Sequence, residues 1–242
     1  MLVTKLNELL AGEPDEHSDA KHLVLKYARD PQYASIFNHA SMAWNNHFFY
    51  QALSTSPTQL HAQPGGLEDS LLQTFGSIDT LRTTFLDTAA AMFAPGFVWL
   101  VWAKDVPRSG APALSTAATG GWRILTTYAA GTPFPEAGYR QQGVDMNNHT
   151  ASSARVASQT LGSFGPNSAA MKDQLKLPVG GTSVMPVLCV STWQHSYIYD
   201  FGVTGKSFYL NEWWKAIDWH AVDVRAGSEP KSQANRRSMK FS

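Results

Sequence analysis

The chain has 242 residues, 43% apolar and only 16% charged, a balance that excludes an intrinsically disordered protein and suffices for a sizeable core. Nineteen basic residues match nineteen acidic ones, and the resulting formal net charge of zero excludes a protein coated by nucleic acid on every face, while allowing contact through one patch or tail. A single cysteine excludes an intrachain disulfide, and no stretch reaches the roughly 18 apolar residues of a membrane-crossing helix, so no membrane partner is expected.

Leu2, Leu6, Leu9 and Leu10 recur at helical spacing and stop before Gly12, which reads as a helix C-terminus. The N-terminus resembles neither a signal peptide nor an Arg-rich transit sequence, so for an imported protein the targeting segment is expected outside this chain. After the polar link EPDEHSD, residues 20–29 suit a short helix and 34–53 a longer amphipathic one. The Pro/Gly/Ser-rich stretch STSPTQLHAQPGG at 54–66 reads as a linker closing a helical N-terminal region. Two more helices are predicted over 67–94, the second opened by Ser77 as N-cap. Strands are expected at 97–103, 122–128 and 186–192, where the run VLCV makes Cys189 a buried thiol suited to a reducing compartment. Helices at 193–200 and 206–219 complete the pattern.

Two segments stand apart from this periodic framework. From about Ala137 to Gly181 the chain is rich in Ser, Ala, Gln, Asn and Gly, and connections of that length are either disordered or functional, the second alternative being a loop that orders against a partner. From Arg225 the sequence RAGSEPKSQANRRSMKFS sets five cations against Glu229, a local charge of +4 suited to phosphates.

Four blocks carry a resemblance to a known family. They are FNHASMAWNNHFFYQAL at 37–53, the helix-to-strand stretch from Phe75 to Ala103 with Phe93, Gly96, Trp99 and Leu100 in register, PVLCVSTWQHSYIYDF at 186–201, and YLNEWWKAIDW at 209–219. In this order they resemble the iron/manganese superoxide dismutases over most of the chain. The resemblance implies an α+β fold: an N-terminal helical hairpin, then a mixed α/β domain with a small, about three-stranded antiparallel sheet. It divides the chain into residues 1–66 as hairpin and linker, 67–224 as the α/β domain with the inserted loop at about 137–181, and 225–242 as the basic tail.

The same resemblance places the family's metal ligands on residues that cannot serve. Iron or manganese in this family takes imidazoles and one carboxylate. The second ligand histidine falls on Asn46, the aspartate on Ser191, and only His195 keeps its identity, while the first ligand position lies before Leu2. The glutamine that orients metal-bound solvent falls on Met42 or Ala130, the gateway tyrosine on Leu2, and the glutamate bridging the dimer on Gln194. His47 follows the lost ligand directly, but on a regular helix one residue turns a side chain by about 100°, away from the old site, unless a π-bulge intervenes. His195 reads as a hydrogen-bonded core or interface residue. His39 and His47 read as solvated or core-bonded histidines, and His17, His22, His61, His149 and His220 show no ligand spacing.

No catalysis and no metal cofactor are therefore expected. Degenerate superoxide-dismutase-like proteins with insertions and basic extensions occur in the small subunit of fungal mitochondrial ribosomes, and resemblance to that branch implies a docking and assembly subunit in the mitochondrial matrix. The implied partners are small-subunit ribosomal proteins, rRNA, and a second superoxide-dismutase-like protein in a heterodimer that uses Gln194, His195 and Tyr197. Arg225, Lys231, Arg236, Arg237 and Lys240 are the expected RNA or protein contacts. Two other readings stay open: a superoxide dismutase with a shifted site at His47 and His195, and a free pseudoenzyme that pairs with an active dismutase.

Overall fold

A computed structural model describes residues 2–61, 64–105, 120–137 and 182–231. Helix α1 (Leu2–Leu10) buries Leu6 and Leu10, and Gly12 takes a φ of 78°, open to glycine at little cost, where the chain turns away. Asp19 accepts from the Lys21 amide and starts α2 (Ala20–Tyr27); after a short 3₁₀ turn at Pro31–Tyr33 comes α3 (Ala34–Tyr50), on which α1 and α2 pack. Helices α4 (Leu67–Phe75) and α5 (Ile78–Ala91) follow. As expected, Ser77 caps α5, its hydroxyl accepting from the Thr80 amide at 2.9 Å.

The sheet consists of β1 (Gly96–Asp105), β2 (Gly120–Tyr128) and β3 (Thr182–Ser191), with β1 in the middle and antiparallel to both neighbours. That order explains why Phe97 to Ala103 is an unbroken apolar run: a central strand covered on both faces has no solvent side, and these residues are all buried. Gly96 lies so close to β2 that a Cβ there would overlap the Thr127 carbonyl oxygen. Pro186 sits opposite Val101 on the edge strand β3, where a bulge shifts the register and the missing amide costs least.

The last third departs from the predicted helices. Instead of one helix over 193–200 there is a 3₁₀ turn at Gln194–Ser196 and the single-turn α6 (Ile198–Phe201). The helix predicted over 206–219 is two: α7 (Lys206–Lys215) and α8 (Trp219–Ala226), divided at Asp218, whose carboxylate accepts from the His220 amide at 3.2 Å and caps α8. Arg225 accordingly lies inside a helix, not at the start of a tail. The predicted insertion falls, from residue 138 to 181, outside the described residues.

Two apolar clusters result. The larger joins the sheet to α3, α4, α5, α7 and α8; the smaller joins α1, α2 and α3 with Phe134 and Ala137. Trp44 on α3 belongs to both, with its ring 5.9 Å from Trp99 and 4.8 Å from Phe134. The linker after α3 is pinned to the α7–α8 junction, where Ser54 donates to the Ala216 carbonyl, and the Asp218 and Trp219 amides donate to Ala52 and Thr58.

Candidate functional site

The residues that the resemblance assigns to a metal centre come from the middle of α3 and the end of β3. Helix α3 is regular from Ala34 to Tyr50, so no π-bulge turns His47 inward, and His47 is exposed. Asn46 is half-buried. The neighbouring Asn45 is fully buried and donates to the Gly131 carbonyl at 2.9 Å, while Ser41 donates to the Ala130 carbonyl at 2.6 Å. The helix thus ties its polar side chains to the backbone after β2, at one of the positions where the family's glutamine would stand.

Ser191 ends β3 in full burial, and both of its polar groups are engaged. Its hydroxyl shares a hydrogen bond with the Ser196 hydroxyl at 2.8 Å and accepts from the Trp193 amide at 3.4 Å, and its carbonyl accepts from the Tyr209 phenol at 3.0 Å. Burial pushes the Tyr209 phenol well above the usual tyrosine range, keeping it a neutral donor. One residue on, the Thr192 hydroxyl donates to the Gly96 carbonyl at 3.1 Å. The position to which the resemblance assigns a carboxylate is thus a knot of neutral hydrogen bonds.

His195, on the 3₁₀ turn, is exposed, with its ring centroid 5.5 Å from that of Trp193. Of the two readings of His195, a core residue or an interface residue, the structure removes the first: the turn points it to the surface beside the equally exposed Gln194. Tyr197, in contrast, is buried against Tyr209 at 5.7 Å. Of the three residues expected at a dimer contact, two are therefore on the surface and one lies beneath it.

An amide at Asn46, an engaged hydroxyl at Ser191 and a surface imidazole at His195 do not fit a redox metal, which asks for imidazoles and a charged oxygen around an open position. Among the described residues no group of three His, Cys, Asp or Glu side chains could hold a metal ion. The surrounding rings serve packing: Phe48 lies 5.7 Å and Phe97 5.6 Å from Trp99. Cys189, fully buried opposite Trp99, has its thiol pushed far above the ordinary cysteine range by burial, which makes it inert.

The basic residues divide. Arg225 donates to the Phe48 carbonyl at 3.0 Å and the Val187 carbonyl at 3.3 Å, and its guanidinium carbon lies 3.9 Å from the Phe48 ring centre. It clamps α8 to α3 and β3, which corrects its assignment to a basic tail. Lys231 pairs with Asp223 at 2.8 Å. Arg236, Arg237 and Lys240 lie outside the described residues. Two features were not anticipated: the Arg225 clamp, which depends on contacts remote in sequence, and the full exposure of Phe93 on the turn between α5 and β1.

Comparison with known proteins extends this picture. The model of the C-terminal domain of iron/manganese superoxide dismutases matches residues 63–131 and 166–225. The small ribosomal subunit protein mS42 of Schizosaccharomyces pombe is 26% identical over 213 residues, spanning 84% of this chain and 71% of the relative. The small ribosomal subunit protein mS43 of the same yeast is 25% identical over 230 residues, 93% of this chain and 72% of the relative. An iron superoxide dismutase of Babesia bovis is 24% identical over 217 residues, 90% of this chain and 75% of the relative.

Proposed function

The chain belongs to the iron/manganese superoxide dismutase family, and we propose that it is a catalytically inactive member that serves as a structural constituent of the mitochondrial small ribosomal subunit. The observation that carries this reading is the chemistry of the residues on which the resemblance puts the ligands: Asn46 offers an amide, Ser191 a buried hydroxyl bonded to Ser196, and His195 faces solvent. A family fold without a fitting ligand set has its shape to offer rather than a reaction. The similarity to mS42 and mS43 over 84% and 93% of the chain supports the ribosome as the place where that shape is used. Its compartment on this reading is the mitochondrial matrix.

Within the subunit the protein docks against ribosomal proteins and rRNA and pairs with a second superoxide-dismutase-like protein. The surface pair Gln194 and His195, backed by Tyr197, is the contact proposed for that pairing. Lys231, Arg236, Arg237 and Lys240 are the contacts proposed for RNA or protein; Arg225 is committed to the interior.

Sucrose-gradient sedimentation of a mitochondrial lysate, with the protein followed by immunoblot and the fractions assayed for iron and manganese, tests the proposal. Co-migration with the small subunit without stoichiometric metal is the expected result. A slowly sedimenting species carrying metal would return the question to an enzyme built on His47 and His195, and a slow, metal-free species would leave a free pseudoenzyme.

A further inference from the structure

Where the chain between α3 and α4 passes the first turn of α8, a cavity of about 250 Å³ opens. The buried Trp219 and Leu67 supply its apolar lining, and His61, His220, Gln59 and the paired Asp223 and Lys231 supply polar groups. Its walls are fastened to one another. The Trp219 amide donates to the Thr58 carbonyl at 3.0 Å, the Thr58 amide to the Asp218 carboxylate at 3.3 Å, and the Gly65 amide to the Asp69 carboxylate at 2.6 Å. The hollow is therefore part of the fold before any ligand arrives.

The lining restricts what can enter. Asp223 and Lys231 pair at 2.8 Å, so their charges offset each other and a bare anion would meet a carboxylate. Among the described residues no group of three His, Cys, Asp or Glu side chains could hold a metal ion, which removes a metal as occupant. The rings of His61 and His220 and the side-chain amide of Gln59 are exposed and have no hydrogen-bond partner among the described residues. Imidazoles and amides both donate and accept, and an imidazole also offers a face for stacking. The matching ligand is uncharged, planar and polar along its edge, which describes a nucleobase. Benzene fits a cavity of about 150 Å³, so this one has room for a single base.

We propose that the cavity seats one unstacked base of single-stranded RNA, its face against the imidazoles of His61 and His220 and its edge toward Gln59, Asp223 and Lys231. A duplex keeps its bases stacked and cannot fill the hollow, whereas a single strand can turn one base out. RNA is favoured over a free nucleotide because Lys231 lines the cavity and leads in sequence to Arg236, Arg237 and Lys240, cations suited to the flanking phosphates. The cavity thus contributes a contact that salt leaves in place, and the terminal cations one that salt weakens. The inference rests on the ribosomal reading for the source of the RNA and gives that reading a contact of defined chemistry.

Fluorescence anisotropy of the full chain decides the matter, with a short labelled single-stranded RNA of mixed sequence and the duplex formed from it as probes. The variant combines His61→Ala with His220→Ala, and His17→Ala, exposed before α2, is the control. Neither ring of the variant pair supports the core, so circular dichroism and melting midpoint stay those of the parent. The parent is expected to prefer the single strand, and the variant to lose roughly 5- to 150-fold in affinity for it, the range of one base stacked on an aromatic ring. The slope of log affinity against log salt stays in place, since no phosphate contact is removed. Equal binding of strand and duplex by the parent overturns the proposal, and so does a variant that binds the single strand as the control does. Displacement of the RNA by a nucleoside monophosphate at concentrations as low as the RNA itself requires overturns the assignment to RNA in favour of a free nucleotide. The ribosomal reading fails separately: histidine-dependent RNA binding by a chain absent from small-subunit fractions sinks that reading alone, and a ribosome-bound chain indifferent to both histidines sinks this one alone.

Discussion

Arg225 has no carboxylate within its clamp; it satisfies the carbonyls of Phe48 and Val187 and lies on the Phe48 ring. Because Phe48 is in the last turn of α3, its carbonyl lacks a partner further along the helix, and a cation there also opposes the negative end of the helix dipole. Truncation in Arg225→Ala leaves those acceptors without their charged donor, and the expected loss is about 1–3 kcal/mol in denaturant titrations. Arg225→Lys restores the charge without the fork and falls between the two. A parent-like midpoint for R225A would show the clamp to be incidental. Asp15 makes the converse case. Its carboxylate accepts from the Lys26 ammonium and the Tyr27 phenol, and these contacts, Lys26 first, hold its pKa below the ordinary 3.8. A depressed folded-state pKa contributes stability that is present above the unfolded value and lost as pH falls through the folded one. Asp15→Asn is therefore expected to destabilise at neutral pH, with the gap to the parent closing below pH 3.8. A gap that stays constant with pH would disprove the linkage.

The break between α7 and α8 is made by one side chain, since the Asp218 carboxylate receives the His220 amide at 3.2 Å and the Thr58 amide at 3.3 Å. Removing it in Asp218→Ala frees both a helix start and the linker after α3, and an N-cap alone accounts for about 0.5–2 kcal/mol. Loss at the upper end of that range, with faster proteolysis around residues 54–60, is expected; a variant as stable and as resistant as the parent would refute the double role. An Asp before an apolar helical turn is a helix-start signal, yet the apolar periodicity runs through it unbroken, so the sequence alone favours one helix over two. The strands, the Ser77 cap and the Gly12 stop were legible because each rests on local pattern. The amide at Asn46 and the hydroxyl at Ser191, on which the proposed loss of a metal site rests, are equally a matter of residue identity. What was hidden is geometry set by turns: the 3₁₀ turn that brings His195 to the surface, and the bend that leaves Phe93 outside while its neighbours Met92 and Phe97 are buried.

Across the whole molecule the charge is unevenly placed. The last eleven residues hold Arg236, Arg237 and Lys240 and no acid, so a chain of zero net charge carries −3 on everything before them. Within the described body several cations are already engaged: Lys5 with Glu8, Lys104 with Glu229, Lys215 with Glu212 and Lys231 with Asp223. Surface pairs of this kind contribute little stability, but they leave the body no broad positive field with which to hold a polyanion. If the protein touches RNA, the terminal cations must do most of the work, and that work must weaken with salt as condensed counterions return. For the full chain binding single-stranded or duplex RNA, Arg236→Ala together with Arg237→Ala removes two phosphate contacts. The slope of log affinity against log salt should then become shallower by about 1.4–1.8. Fluorescence anisotropy over a salt series measures this directly, with R225A as the comparison that should leave the slope in place, since its guanidinium faces the interior. An unchanged slope in the double variant would move the ribosomal contact of these cations from RNA to protein.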